Sequence, residues 1–276
     1  MQKPQSPATH SLTAFFLIAF AFSWLFWLVP VLSSSGFFSL AIPNMAWVIV
    51  GAHGPLVAAL ILVYRSAGWG AVKQLIRSGF NLRMSAVWWL FILFVPVVLA
   101  GLAVWLNIIL TDYQPDTTLL EQPLMILPTF LVLFFLGGAF QEEFGWRGYA
   151  LPGLLEKWNP LLASVFLGVI WGVWHLPLFY IADASQSFMP FGVFVLLAVG
   201  FSIVFTWLWI RTNRNLFSAL LFHAAINTSF SLFPPVELQA GGNQQAFTYL
   251  MGAYFILAIV LVVRELDFWK QKVTSR

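Results

Sequence analysis

The sequence predicts an all-α fold, a polytopic membrane bundle of about eight transmembrane helices. Three observations predict it. The first is composition: of 276 residues, 61% are hydrophobic and only 8% are charged, against about 25% charged in a soluble domain. So few charges cannot solvate a surface, which leaves lipid as the main solvent. The second is the recurrence of apolar runs about 20 residues long, the length that crosses a bilayer as a helix. The third is that the charge of the connections alternates between basic and non-basic.

Eight segments carry the prediction, at about 12–32, 44–64, 86–110, 124–150, 160–181, 188–210, 215–232 and 246–264. The first follows Lys3 and His10 without a convincing cleavage site, so it reads as a retained helix and not a signal peptide. The runs lack the alternating ten-residue pattern of barrel strands, and irregular backbone cannot face lipid, so each run is a helix. The connection 65–85 carries Arg65, Lys73, Arg77 and Arg83 and no acid; it reads either as a plain basic loop or as holding a short amphipathic stretch on the cytoplasmic face. The connection 111–123 carries Asp112, Asp116 and Glu121 and no base. Arg211 and Arg214 follow the sixth run, while 182–187 holds only Asp183 and 233–245 only Glu237. The tail holds Arg264, Lys270, Lys272 and Arg276 against Glu265 and Asp267. Basic loops mark the cytoplasmic side, so both termini are expected there, which requires an even number of spans. No internal repeat or soluble-domain boundary interrupts 1–276, which reads as one integral-membrane domain with a polar-motif core at about 124–232. Cysteine is absent, excluding disulfides, thiolate metal sites and a Cys nucleophile.

Ionisable groups at membrane depth cost roughly 2.5–3.5 kcal/mol each on insertion scales, so they are functional candidates. The polar candidates at depth are few: Glu142, Glu143 and Arg147 in the fourth run, His175 in the fifth, His223 and the neutral amide Asn227 in the seventh, with His53 and Asn107 elsewhere. Glu143 and Arg147 stand at i,i+4, the spacing of an ion pair on one helix face. Adjacent positions point about 100° apart, so the two glutamates are expected to face different partners, Glu142 projecting into the bundle. The alternative is a structural charge cluster at a helix end. His223 and Asn227 share a face, as do Trp171 and His175. For Glu142 to lie level with both histidines, the fourth helix must run on past Tyr149, towards Leu155, with Pro152 bending or ending it.

This set can supply what peptide hydrolysis needs: an activated water, a stabilised oxyanion and a proton for the leaving amine. Asn227 can donate through its amide and His223 through a protonated ring nitrogen. Glu142, His175 and His223 also match a catalytic zinc set with an open position. No His-Glu-x-x-His helix is present, and a metal-free glutamate mechanism is the preferred reading; no cofactor is certain. The chain has no serine nucleophile elbow. Its four aspartates, Asp112, Asp116, Asp183 and Asp267, all lie in connections, which excludes an aspartyl dyad.

Glu142-Glu143-x-x-x-Arg147, then Trp171-x-x-x-His175, then His223-x-x-x-Asn227, resembles the CAAX prenyl-protease and bacteriocin-processing family, which includes the type II CAAX endopeptidases. Trp171 stands where that family more usually has Phe. The resemblance implies an intramembrane endopeptidase opening toward the cytoplasm. Glu142 would be the general base, His175 its partner in activating water, and His223 and Asn227 the oxyanion donors. Glu143, Arg147 and Trp171 would support them. The expected partners are the lipid bilayer and a membrane-anchored or lipidated peptide or protein, and no nucleic acid. The rival readings are a transporter, with polar residues lining a path, and a catalytically silent scaffold or immunity-type membrane protein.

Overall fold

The computed structural model describes residues 11–182, 184–239 and 241–271. Lys3, His10, Asp183, Lys272 and Arg276, which entered the charge balance above, lie outside the described residues. Among those described there is no strand, and the chain is an all-α polytopic bundle.

The elements follow the apolar runs closely. α1 (Leu12–Ser34) is followed by α2 (Asn44–Gly51) and α3 (Gly54–Ser78), which together form one long span. α3 bends at Gly68, whose φ is 72°, and the basic stretch beyond it is helical. α4 (Ala86–Leu110) matches its predicted limits residue for residue. After the four-residue α5 (Thr118–Glu121), the fourth run forms α6 (Ile126–Leu136) and α7 (Ala139–Gly145), separated by Gly137-Gly138 and bent by 40°. From α7 the helix passes through one turn of π-helix, Trp146–Ala150, into α8 (Leu151–Leu155). It therefore runs as far inward as a site shared with the histidines requires.

α9 (Pro160–Trp174) is capped by Asn159, whose side chain accepts from the Leu162 N–H at 2.9 Å. α10 (Phe191–Arg211), α11 (Leu216–Leu232), α12 (Gln245–Arg264) and the short α13 (Leu266–Lys270) complete the bundle. Six helices are long and apolar enough to cross a bilayer, and the bent pair can make a seventh. The count of eight is not reached by length and composition, because α11 has only 17 residues. Its position explains the shortness. Every residue from Leu216 to Ile226 is buried, so α11 faces protein all round and need not match the thickness of lipid.

α10 packs between α9 and α12, α11 packs against α4, and α3 packs against both α1 and α7. The crossing of α3 and α7 is close: a Cβ on Gly145 would lie 2.5 Å from Pro55. Small residues allow such approach in membranes, where packing and not water exclusion holds helices together.

Candidate active site

The Gly137-Gly138 break positions the acidic motif. Gly138 has φ 111°, a region that side-chain-bearing residues avoid. Side chains bond two of the backbone groups at the break, where membrane depth makes an unmet group costly. Asn227 of α11 donates its amide to the Gly137 carbonyl at 2.6 Å. The Gly138 N–H donates to Gln141 Oε1 at 2.8 Å, and Gln141 Nε2 donates across to the Ile49 carbonyl of α2 at 3.0 Å. From there α7 turns almost wholly inward, burying Gln141, Glu142 and Glu143.

Glu142 is held by two indoles. Trp171 Nε1 donates to its Oε2 at 2.6 Å and Trp146 Nε1 to the same oxygen at 3.3 Å. That leaves Oε1 directed at the glycine break, where a Cβ on Gly138 would lie 2.6 Å from it and 3.1 Å from His223 Nε2. Glu142 and the imidazole of His223 thus face one point.

Glu143 bonds to two partners. Arg147 Nη1 donates to its two oxygens at 2.9 and 3.1 Å, the predicted i,i+4 pair. His223 Nδ1 lies 2.7 Å from Glu143 Oε1. A carboxylate can only accept, so Nδ1 carries the proton and Nε2 is the nitrogen turned toward Glu142. The expectation that the two glutamates face different partners is corrected here: they approach opposite nitrogens of one ring. Arg147 is fully buried between the faces of Trp171 and Phe205, its guanidinium carbon 4.8 and 4.0 Å from the ring centroids. Its Nε and Nη2 make no hydrogen bond, so the rings take the place of acceptors on those sides.

His175 lies one position past the end of α9, with Nδ1 2.8 Å from the Trp171 carbonyl. A carbonyl also only accepts, so the neutral ring keeps its lone pair on Nε2. Trp171 therefore touches the whole group: it donates to Glu142, accepts from His175, covers Arg147, and lies edge-on to His175 and His223 at 5.8 and 5.7 Å.

A cavity of about 490 Å³ is lined by Glu142, Trp171, His175, His223 and Asn227, while Glu143 and Arg147 sit behind it. Its walls are largely apolar, with Trp27, Leu133, Leu136, Phe194 and Phe230 among them. Among the described residues, no three His, Asp or Glu side chains converge closely enough to hold a metal ion. His53 and Asn107 stand apart. His53 Nδ1 bonds to the Ile49 carbonyl of its own turn, and Asn107 donates to Asn243 at one end of the bundle. Sequence reasoning passed over Gly138, Gln141, Trp146 and Phe205; the signal for the first two was a glycine pair three residues ahead of Gln141-Glu142-Glu143 in an otherwise apolar run.

The three motifs fall within the stretch that a known family matches. Residues 123–229 match the family model described as type II CAAX prenyl endopeptidase Rce1-like. The chain is also 27% identical over 272 residues to CAAX prenyl protease 2 of Methanococcus maripaludis, an alignment covering 94% of this chain and 95% of that one.

Proposed function

We propose that this chain, which is similar to the Rce1-like CAAX prenyl endopeptidases, is a membrane protease that hydrolyses peptide bonds of a membrane-anchored or lipidated substrate by water activated at Glu142. The observation that carries the proposal is the convergence of Glu142 from α7, His175 from the end of α9 and His223 from α11 on one largely apolar cavity.

Each side chain's fixed bonds determine what it can still do. Trp171 and Trp146 occupy Glu142 Oε2, so Oε1 takes a proton from the attacking water. His175, with its Nδ1 proton on the Trp171 carbonyl, offers the Nε2 lone pair as a second acceptor that orients the same water. The hydroxide's electron pair forms the new bond to the scissile carbonyl carbon, and the carbonyl π pair moves to its oxygen. His223 already commits its Nδ1–H to Glu143, so it donates to the oxyanion through Nε2 only as an imidazolium, with Glu143 as counter-ion. Asn227 spends one amide hydrogen on Gly137 and keeps the second for the oxyanion. Collapse of the tetrahedral intermediate expels the amine, which takes the proton held on Glu142. Such a positioned acid–base group contributes about 10²–10⁴-fold to rate. The relative's name refers to prenyl substrates; the apolar cavity walls suit a lipid chain or apolar side chains next to the cut.

The test uses purified protein in lipid vesicles, with Glu142→Gln and His175→Ala variants, and mass-spectrometric detection of cleaved membrane-anchored peptides. The wild type cuts, and both variants lose turnover while keeping the melting profile of the parent. Equal products from all three proteins would sink the proposal, and no product from any would favour a silent scaffold.

A further inference from the structure

Lys and Arg gather at one end of the bundle, and the cavity belongs to the other. The described residues of the connections 35–43, 111–122, 181–190 and 233–244 lie together at one end. Ala182 N–H donates to Ser34 Oγ at 3.1 Å, Tyr113 O–H to the Pro234 carbonyl at 2.7 Å, and Asn243 Nδ2 to Thr111 Oγ1 at 3.3 Å. These connections contain no Lys or Arg; they contain Asp112, Asp116, Glu121, Asp183 and Glu237. The phenol of Tyr113 registers this environment: burial, and then the carboxylates of Glu237 and Asp116, push it up to about 12.

The opposite end is tied together by Asn215 Nδ2 on the Asn81 carbonyl at 2.9 Å, Ser11 N–H on the Tyr149 hydroxyl at 3.1 Å, and the Arg211–Glu265 ion pair. Among the described residues, every Lys and Arg except Arg147 lies toward this end, from Arg65 to Lys270.

The cavity runs from Glu142 and His223 at its floor to Asp116, Ser185, Pro234 and Leu238 at its mouth. No lining residue comes from 65–85, 156–159, 211–215 or 264–271. Basic connections stay in the cytoplasm. The two expectations drawn from the sequence, cytoplasmic termini and a site opening to the cytoplasm, therefore cannot hold together, because the described stretches nearest both termini lie at the end opposite the mouth.

We infer that the catalytic chamber is entered from the extracytoplasmic side and takes a peptide segment that is anchored in the membrane and displayed on that outer surface. The inference rests on the endopeptidase reading for its substrate but not for its sidedness. The apolar flank of the mouth suits such a segment. Met45 of α2 and Leu136 of α6 line the cavity, and each is 48% exposed to the surroundings of the bundle, so a chain can pass from the outer lipid surface to Glu142 between apolar side chains.

The chain's lack of cysteine allows a direct test. Single Ser185→Cys and Leu238→Cys variants report the mouth; Gln74→Cys and Asn81→Cys report the opposite end without altering its charge. Each is expressed in a bacterial inner membrane and treated, in right-side-out vesicles, with a membrane-impermeant maleimide. Positions 185 and 238 are expected to label equally before and after permeabilisation, and 74 and 81 only after it. The reverse pattern overturns the inference, as does labelling at both ends of intact vesicles or a mouth that is unreactive until permeabilised. Two positions at each end protect the result against one variant that fails to fold. Labelling does not depend on catalysis: a chain with the expected pattern that cleaves no anchored peptide refutes the endopeptidase reading and leaves the sidedness intact.

Discussion

α6 and α7 come from one apolar run and end in opposite environments. α6 buries only Phe134 and presents Leu127, Leu131, Val132 and Leu136 outward. α7, two residues further on, buries six of its seven residues, including two glutamates. The difference teaches how a carboxylate is carried to membrane depth. A continuous helix would keep one face toward lipid over its whole length, and a charge on that face would be expensive. Breaking the helix at Gly137-Gly138 redirects the second half into protein, and Asn227 and Gln141 bond the Gly137 carbonyl and the Gly138 N–H at the break.

Four substitutions break or sharpen that contrast. Glu142→Gln keeps the shape of α7 and removes its base; turnover is expected to fall by about 10²–10⁴, read from initial rates on an anchored peptide, with no change in melting profile. Phe144→Ala on the buried half should cost about 3–5 kcal/mol, because Phe144 is fully buried; unfolding in detergent measures it. Trp171→Phe keeps a ring over Arg147 but removes the N–H that holds Glu142 Oε2. A bond to a charged group is worth about 1.5–3 kcal/mol, which predicts a fall in kcat of about ten- to a hundredfold at near-constant KM. Equal kcat would mean that Trp146 alone suffices. At the other extreme, Leu131→Ala on the outward half should shift stability by no more than about 0.5 kcal/mol; a loss as large as that at Phe144 would erase the contrast.

Gly138→Ala addresses the hinge itself. A side chain at φ 111° costs on the order of 1–3 kcal/mol, and its Cβ would meet Glu142 Oε1. Turnover and stability are expected to fall together in this variant, whereas Glu142→Gln should separate them.

Much of the fold was legible because lipid imposes a simple rule on composition and length. α4 was placed exactly by its apolar run, and the reach of the fourth helix to Leu155 followed from the need to bring Glu142 level with the histidines. The bend at Gly137-Gly138 was not legible in the same way, because an apolar run with two glycines can be straight or broken, and only the partners on α2 and α11 decide. The site was legible in its members and less so in its wiring. Helical geometry correctly paired Glu143 with Arg147 and correctly turned Glu142 away from them. It could not anticipate that an imidazole from another helix would lie between the two carboxylates, since a ring with two nitrogens can meet neighbours that point apart. Trp171 in place of Phe looked like a simple exchange of aromatics, but its indole N–H gives it a bond that Phe cannot make.

The π-turn at Trp146–Ala150 separates two stretches of the same rod. It is a slip of register, as if one residue had been inserted into an ordinary helix. Closing the turn into α-helix with its residues unchanged in number would rotate Leu151–Leu155 by about 100° relative to the glutamates. That would carry Leu151, Leu154 and Leu155 off their buried face while leaving Glu142 and Glu143 where they are. Adding one residue to α7 would do the opposite, preserving the buried leucines and turning the glutamates away from His223. The wide turn therefore sets how the two buried faces are registered, and an insertion between Gly138 and the turn should be more damaging than most exchanges of side chain within that stretch.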